Sequence, residues 1–319
     1  MKTLKVLALG LALALTASWA GAQSYPDRPV RMIVPFPPGS ATDLVARVVG
    51  QQLQAALGQA FVVDNKPGAG GSIAGSEVVR AAPDGYTRLF SSNSAVASNV
   101  ALLKNMPYDP LKDFSPIAGI AETALALMVK PSFPAKNLQE FIAYARQRPG
   151  KLSAGYGSSS SQVSISMLNK MASIDTLAVP YKGIPLAVND VVGVTVDFTF
   201  VDLGNAMAQA RGGMLKLIAV TSDKRNALVP DWPTLSEVTP GYDITAGFAL
   251  VGPPHLPKSI VDKLHGAIAR ALAQPESREK FASIGLVPMP MAPDRLKTFM
   301  ASEVVKWKRL VKEAEIQPE

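Results

Sequence analysis

The sequence predicts an α/β protein built as two units of similar layout, and three observations carry that prediction. Short apolar runs repeatedly end in Gly-, Pro- or Ser-rich loops and restart as helical patterns, the repeating unit of a parallel α/β sheet. The series occurs twice, once up to residue 94 and again from residue 124 onward. With 319 residues, 48% of them hydrophobic, the chain can bury two cores of ordinary size. Cysteine is absent, so packing alone must hold those cores, and thiol chemistry is excluded.

Residues 1–22 are set apart from the fold. Lys2 and Lys5 make a basic start, Val6 to Thr16 is almost wholly apolar, and Ala20-Gly21-Ala22 has the small-x-small form of a cleavage site. This is the pattern of a secretory signal peptide cleaved near Ala22. The apolar run is too short for a membrane span, and no later stretch is long and uncharged enough to be one. Without cysteine there is no lipid anchor. The formal charge is +7, falling to +5 once Lys2 and Lys5 leave. A basic exported protein suits anionic ligands, although net charge says little about a particular site. No Lys/Arg run carries interleaved aromatics, so nucleic acid is not an expected partner.

The first unit opens on the apolar run Met32 to Val34, which reads as a buried strand. Pro35, Pro37 and Pro38 cannot supply ladder N–H groups and must end it. Gly39 permits an unusual turn, and Ser40, Thr42 and Asp43 are helix-capping residue types. Helical spacing then runs through Leu44, Val45, Val48, Val49, Leu53 and Leu57 to Gly58, the expected C′ residue. The free N–H groups of that first turn form a ready anion site. Ala60 to Asp64 is a second strand, and Asn65 to Ser72 a glycine-rich loop before helical spacing resumes at Ile73, Val78 and Val79. Pro83-Asp84-Gly85 turns the chain into strand Tyr86 to Phe90, which ends in the polar loop Ser91 to Ser94. Residues 104–116, rich in Pro, Asp and Lys, read as a surface excursion.

The second unit begins with strand Ala124 to Val129, and Asn137 caps a helix from Leu138 to Arg146. Strand Leu152 to Tyr156 leads to the loop Gly157 to Ser161 and a helix from Gln162 to Met171. Strand Leu177 to Pro180 ends in Tyr181-Lys182-Gly183, helix Leu186 to Val192 follows, and strand Val196 to Val201 ends at Asp202. Gly212-Gly213 turns into strand Leu215 to Thr221, and a loop runs from Pro230 to Tyr242. Ala249 to Gly252 is short and extended. Helices are expected at Ser259 to Ala273, Glu276 to Ile284 and Asp294 to Ala314.

In open α/β sheets ligands bind outside the carboxyl ends of the strands. Two units facing each other would place their strand-end loops on both walls of one cleft. The candidate ligand-binding residues are therefore Phe36, Pro38, Gly39, Ser40, Ala41, Thr42, Asp43, Gly70, Ser92 and Ser94 from the first unit, and Gly157, Ser158, Ser160, Ser161, Tyr181, Lys182, Gly183 and Asp202 from the second. Asp202 has two readings, a helix cap or an acceptor for a donor group on a ligand. Lys182 likewise is either a cleft residue or a solvated charge. The serine run is expected to hold one ligand carboxylate through its hydroxyls and the N–H groups of the following helix.

Enzyme and cofactor readings are weak. The two histidines, His255 and His265, are far in sequence from any serine elbow, and Gly157 to Ser161 does not match G-x-S-x-G. No His/Cys grouping has metal-ligand spacing. Gly68-Ala69-Gly70-Gly71 fails the dinucleotide fingerprint, since its third glycine would fall on Ile73, and no Walker A lysine is present. Neither cofactor nor metal is expected.

Six segments together make a resemblance. They are Pro35 to Asp43, Asn65 to Gly71, Pro83 to Thr87, Val179 to Gly183, Ala219 to Ser222 and Pro233 to Glu237. In this order they resemble the Bug family, the extracytoplasmic solute receptors of tripartite tricarboxylate transporters, over nearly all of the chain after the leader. The resemblance implies a type II periplasmic-binding-protein (Venus-flytrap) fold with two α/β domains around a cleft. One domain would comprise residues 23–123 with 248–319, including the C-terminal helices, and the other residues 124–247. It also implies a small carboxylate, a mono- or dicarboxylate and aromatic or not, held by amides, hydroxyls and water. Membrane permease subunits would be the partner, and the receptor a monomer in the periplasm. Two segments depart from the family pattern: Ser160, Gln162 and Ser166 stand where two glycines and a His are common, and Gly39-Ser40 replaces Gly-Gly. The alternatives are a secreted hydrolase using Ser158 to Ser161, and a receptor serving a signalling partner.

Overall fold

The computed structural model describes residues 25–318; the expected leader, residues 1–22, lies outside the described residues. The chain begins with β1 (Val30–Val34), whose partners β2 (Phe61–Asn65) and β3 (Thr87–Ser92) lie parallel on either side. Between β1 and β2 the proline elbow delivers the chain to α1 (Ala41–Leu57), with Ser40 accepting the Asp43 N–H as N-cap and Gly58, at φ 75°, closing the helix. Asn65 to Gly71 leads through a short 3-10 turn (Ala69–Gly71) into α2 (Ser72–Val79). After β3 comes a π-helical turn (Ser94–Ser98) and the short α3 (Asn99–Leu102).

β4 (Ser115–Val129) organises the molecule. Its first two thirds pair antiparallel with β9 (Thr245–Gly252), and beside them with β10 (Val287–Met291). Its last third pairs antiparallel with β7 (Phe198–Asp202) and β8 (Lys216–Val220). The change of partner falls between Ala124, which faces Thr245, and Leu125, which faces Asp202. The second sheet is completed by β5 (Leu152–Tyr156), parallel to both β6 (Thr176–Pro180) and β7. Its helices are α4 (Leu138–Arg146), α5 (Ser159–Ala172), α6 (Ile184–Val192) and α7 (Leu203–Arg211). The chain ends with α8 (Lys258–Ala273), α9 (Pro275–Ser283) and α10 (Pro293–Glu313).

The cores follow from these faces. Val45, Val49 and Leu53 of α1 pack with Val261, Leu264 and Ile268 of α8 on one face of the first sheet. Ala74 and Val78 of α2 pack with Leu296 and Met300 of α10 on the other. The second sheet has its own core around Phe141, Phe198 and Phe200, and Trp307, Leu310 and Val311 of α10 reach into it. α10 therefore packs on both lobes and not only on the first. Glu303 fixes its course: its Oε2 accepts from Trp307 Nε1 at 2.9 Å and from Asn93 Nδ2 at 3.1 Å, while Asn93 Oδ1 accepts the Gly247 N–H of β9 at 2.7 Å.

Several expectations are corrected. The sheets are mixed and not parallel throughout, because β4 and β9 are antiparallel crossing strands. β4 begins at Ser115, inside the expected surface excursion, and β9 begins at Thr245. β10 carries two prolines, which hid it, and α7 was not expected. α5 starts at Ser159 and not at Gln162, because Ser158 takes the cap.

Candidate functional site

The strand-end loops of both lobes meet as expected and enclose two connected spaces. An inner chamber of about 30 Å³ is lined by Phe36, Ser40, Ala41, Thr42, Ser92, Thr123 and Leu125, by Gly157, Ser158, Ser160, Ile184 and Asp202, and by Ala246 and Phe248. An outer cavity of about 330 Å³ is lined by Phe36, Gly68 to Gly71, Asn99, Leu102 and Leu103 on one side, and by Tyr156 to Ser159, Gln162 and Pro180 to Lys182 on the other. Phe36, Gly157 and Ser158 border both.

Three hydroxyls define the inner chamber. Thr42 is 4% exposed, Ser92 5% and Ser160 2%, and none of these side chains has a hydrogen-bond partner among the described residues. These residues are buried while their hydroxyl oxygens open onto the chamber, so three unpartnered hydroxyls around one small space offer hydrogen bonds to polar atoms that enter it. Thr42 stands in the first turn of α1, Ser92 ends β3, and Ser160 stands in the first turn of α5. Ser40 also lines the chamber, but its oxygen already accepts the Asp43 N–H at 3.3 Å. Thr123 Oγ1 donates to the Gly285 carbonyl at 2.8 Å.

Asp202 ends β7 and begins α7, yet its side chain makes no capping hydrogen bond. Its Oδ2 instead accepts from Asn205 Nδ2 at 2.6 Å, and the same nitrogen donates to the Gly39 carbonyl across the cleft at 3.2 Å. Burial pushes the carboxyl up to about 6, against the pull of the Asn205 amide and the Ala41 backbone N–H. No cation pairs with it among the described residues.

The other expected residues fall into different roles. Asp43 does not reach either space. It accepts from the Gly39 N–H, from Asn65 and from Arg47, which hold its carboxyl below the usual range despite burial. Pro38 and Gly39 belong to the elbow behind the lining. Ser94, expected to face a ligand, lines neither space: its hydroxyl is paired with Ser159 Oγ of the opposite lobe at 2.8 Å, and Ser98 donates to that same oxygen at 2.6 Å. Ser161 also lines neither space. Its Oγ accepts the Gly157 and Ser158 N–H groups and donates to the Ser158 carbonyl, completing a capping box. Ser158 accepts the Ser161 N–H in return. Tyr181 presents its ring to the outer cavity, but its hydroxyl bonds Asp190, and burial with that contact pushes it up to about 12. Gly70 and Lys182 line the outer cavity, and no ion pair holds Lys182 among the described residues. Gly183 lines neither space. It lies against the elbow of the other lobe, where a Cβ would come within 2.4 Å of Pro37 Cδ.

Asn205 and Asn99 were not anticipated, whereas Ser159 and Gln162 fall in the serine run and the segment that departs from the family pattern. Ser159 stood in the serine run but differs from its neighbours only in helical phase. Asn205 belongs to α7, which the pattern did not reveal. Neither His255 nor His265 lines either space, so no serine–histidine pair is assembled.

Two lobes joined by crossing strands, with a polar cleft at their strand ends, define the class of two-lobed solute-binding receptors. The chain belongs to the tripartite tricarboxylate transporter family receptors, whose model matches residues 45–316. Protein BugT of Bordetella pertussis (strain Tohama I) is 34% identical over 98% of this chain and 97% of its own. Among solved structures, a R. palustris protein with adipate has a TM-score of 0.90 at 32% identity, covering 92% of this chain and all of the other. The periplasmic binding protein BugD has a TM-score of 0.88 at 33% identity, over 92% of this chain and all of its own. MatC from Rhodopseudomonas palustris, with bound malate, has 0.85 at 34%, over 90% of this chain and all of its own. These are receptors and not enzymes, and the hydrolase reading of the serine run is set aside.

Proposed function

We propose that this receptor captures a small organic acid in the interlobe cleft and hands it to the membrane subunits of a tripartite tricarboxylate-type transporter. One lobe is formed by residues 23–123 with 248–319 and the other by 124–247. The chain is exported, with its leader removed near Ala22, and works as a monomer in the periplasm. The observation that carries the reading is the ring of three unpartnered, nearly buried hydroxyls, Thr42, Ser92 and Ser160, drawn from both lobes. A carboxylate accepts several hydrogen bonds, and charge-assisted ones are the strong kind. The chamber is much the smaller of the two spaces, so the ligand's body occupies the outer cavity beside Phe36, Tyr156 and Lys182. The relatives solved with adipate and malate support the ligand class.

A thermal-shift screen across mono-, di- and aromatic carboxylates tests this. A ligand at a hundred times its dissociation constant stabilises by about 2.7 kcal/mol, which is a visible melting shift. If no organic acid moves the transition, the reading fails.

A further inference from the structure

The inner chamber holds a group that an acid receptor has no obvious use for, the buried carboxyl of Asp202. We infer that Asp202 is a specificity-determining residue that selects organic acids bearing a hydroxyl or amino group beside the carboxylate entering the chamber. The inference rests on the organic-acid reading and refines it.

Four observations support it. Asp202 opens α7 without capping it, so helix formation does not account for where its carboxyl is. It is held in place by Asn205 at 2.6 Å and by the Ala41 N–H at the start of α1, and so cannot swing away from the cleft cheaply. Among the described residues no Lys or Arg lines the chamber, and the one cation lining either space, Lys182, stands in the outer cavity. The chamber's volume is about 30 Å³ against about 330 Å³ for the outer cavity, so the end of a ligand enters it and the body stays in the outer cavity.

Those facts constrain what the end must look like. An ionised carboxyl only accepts hydrogen bonds. A second carboxylate beside it, with no cation among the described lining residues, is repelled. Thr42, Ser92 and Ser160 can donate to the incoming carboxylate, and the Asp202 carboxyl, with about four lone-pair sites, can accept a further donor beside Asn205 and Ala41. A 2-hydroxy or 2-amino acid brings both groups on adjacent carbons, whereas a plain diacid brings only acceptors. At pH 8 Asp202 lies well above its titration near 6 and carries its charge.

The test is a matched series of four-carbon diacids, malate, aspartate and succinate, titrated calorimetrically into the leader-free protein at pH 8. Malate or aspartate should bind at least tenfold tighter than succinate, and which of the two leads tells whether the preferred donor is a hydroxyl or an amine. In Asp202→Asn that preference should shrink about tenfold, chiefly because succinate gains. If the Asn variant melts well below the parent, Asp202→Ser removes the charge without adding bulk and repeats the comparison. Binding without preference for a donor, or a preference unchanged in the variants, overturns the assignment of Asp202 alone. Failure of every acid in the wider screen to bind overturns it together with the organic-acid reading.

Discussion

At the residue scale, neighbouring serines do different work, and their roles separate experimentally. Ser160 faces the chamber without a partner, whereas Ser161 closes the capping box of α5. Ser160→Ala should weaken ligand binding about tenfold or more with little change in melting, since a hydrogen bond to a charged group is worth about 1.5–3 kcal/mol. Ser161→Ala should leave affinity alone and cost about 1 kcal/mol of stability. The same contrast holds between Thr42 and Ser40. Calorimetry on all four alanine variants checks the division, and equal affinity losses across each pair would refute it. Asp202 makes a prediction about pH. Its folded-state value, about 6, lies above the ordinary carboxylate value, so between roughly pH 4 and 6 the folded form holds a proton that the unfolded chain has lost. Stability therefore falls as pH rises through that window, by on the order of 2–3 kcal/mol, and is level above it. Asp202→Asn should flatten that slope and melt higher at pH 7. Unfolding titrations at pH 4, 6 and 7.5 read the difference directly.

At the scale of elements, sequence reasoning succeeded where a pattern is local and failed where it is not. α1 was legible because Ser40, the apolar spacing and Gly58 all lie within one helix and its caps. The three hydroxyls Thr42, Ser92 and Ser160 were all among the candidates, since each sits at a strand-end loop. Ser94 and Ser161 carried the same local signal, but Ser94 pairs with Ser159 on another element and Ser161 closes the capping box of its own helix. β4 was half missed: its first residues, Ser115 to Thr123, mix polar and small residues, and only antiparallel partners from residues 245–252 and 287–291 make them a strand. β10, Val287-Pro288-Met289-Pro290-Met291, violates strand propensity and survives with a single strand partner, β4. The Tyr181–Gly183 loop illustrates close approach. Gly183 is extended, so its lack of a side chain matters only for space, with Pro37 of the other lobe 2.4 Å from where a Cβ would be. Gly183→Ala should leave the lobes folded but hold them apart. Scattering should then give a larger radius for the variant than for the parent under saturating ligand, and equal radii would show that the elbow yields instead.

At the scale of the whole molecule, the couplings between the lobes include the shared strand β4, the Asn205–Gly39 hydrogen bond, the Ser94–Ser98–Ser159 hydroxyl cluster, and α10. Of these α10 reaches deepest, with Met300 in one core and Trp307 fully buried in the other. Trp307→Ala should cost about 3–5 kcal/mol and should loosen the second lobe although the residue lies near the end of the chain. Hydrogen exchange would show the loss spreading into β4 and β7, and a loss confined to α10 would sink this view of the helix as a strap. The same helix also bears on the order of events during synthesis. Chains fold broadly from the N-terminus as they are made, but here neither lobe can finish its core until the last helix arrives. The nascent molecule stays incomplete in both halves until its final residues are available, so its two lobes reach their native packing together and late.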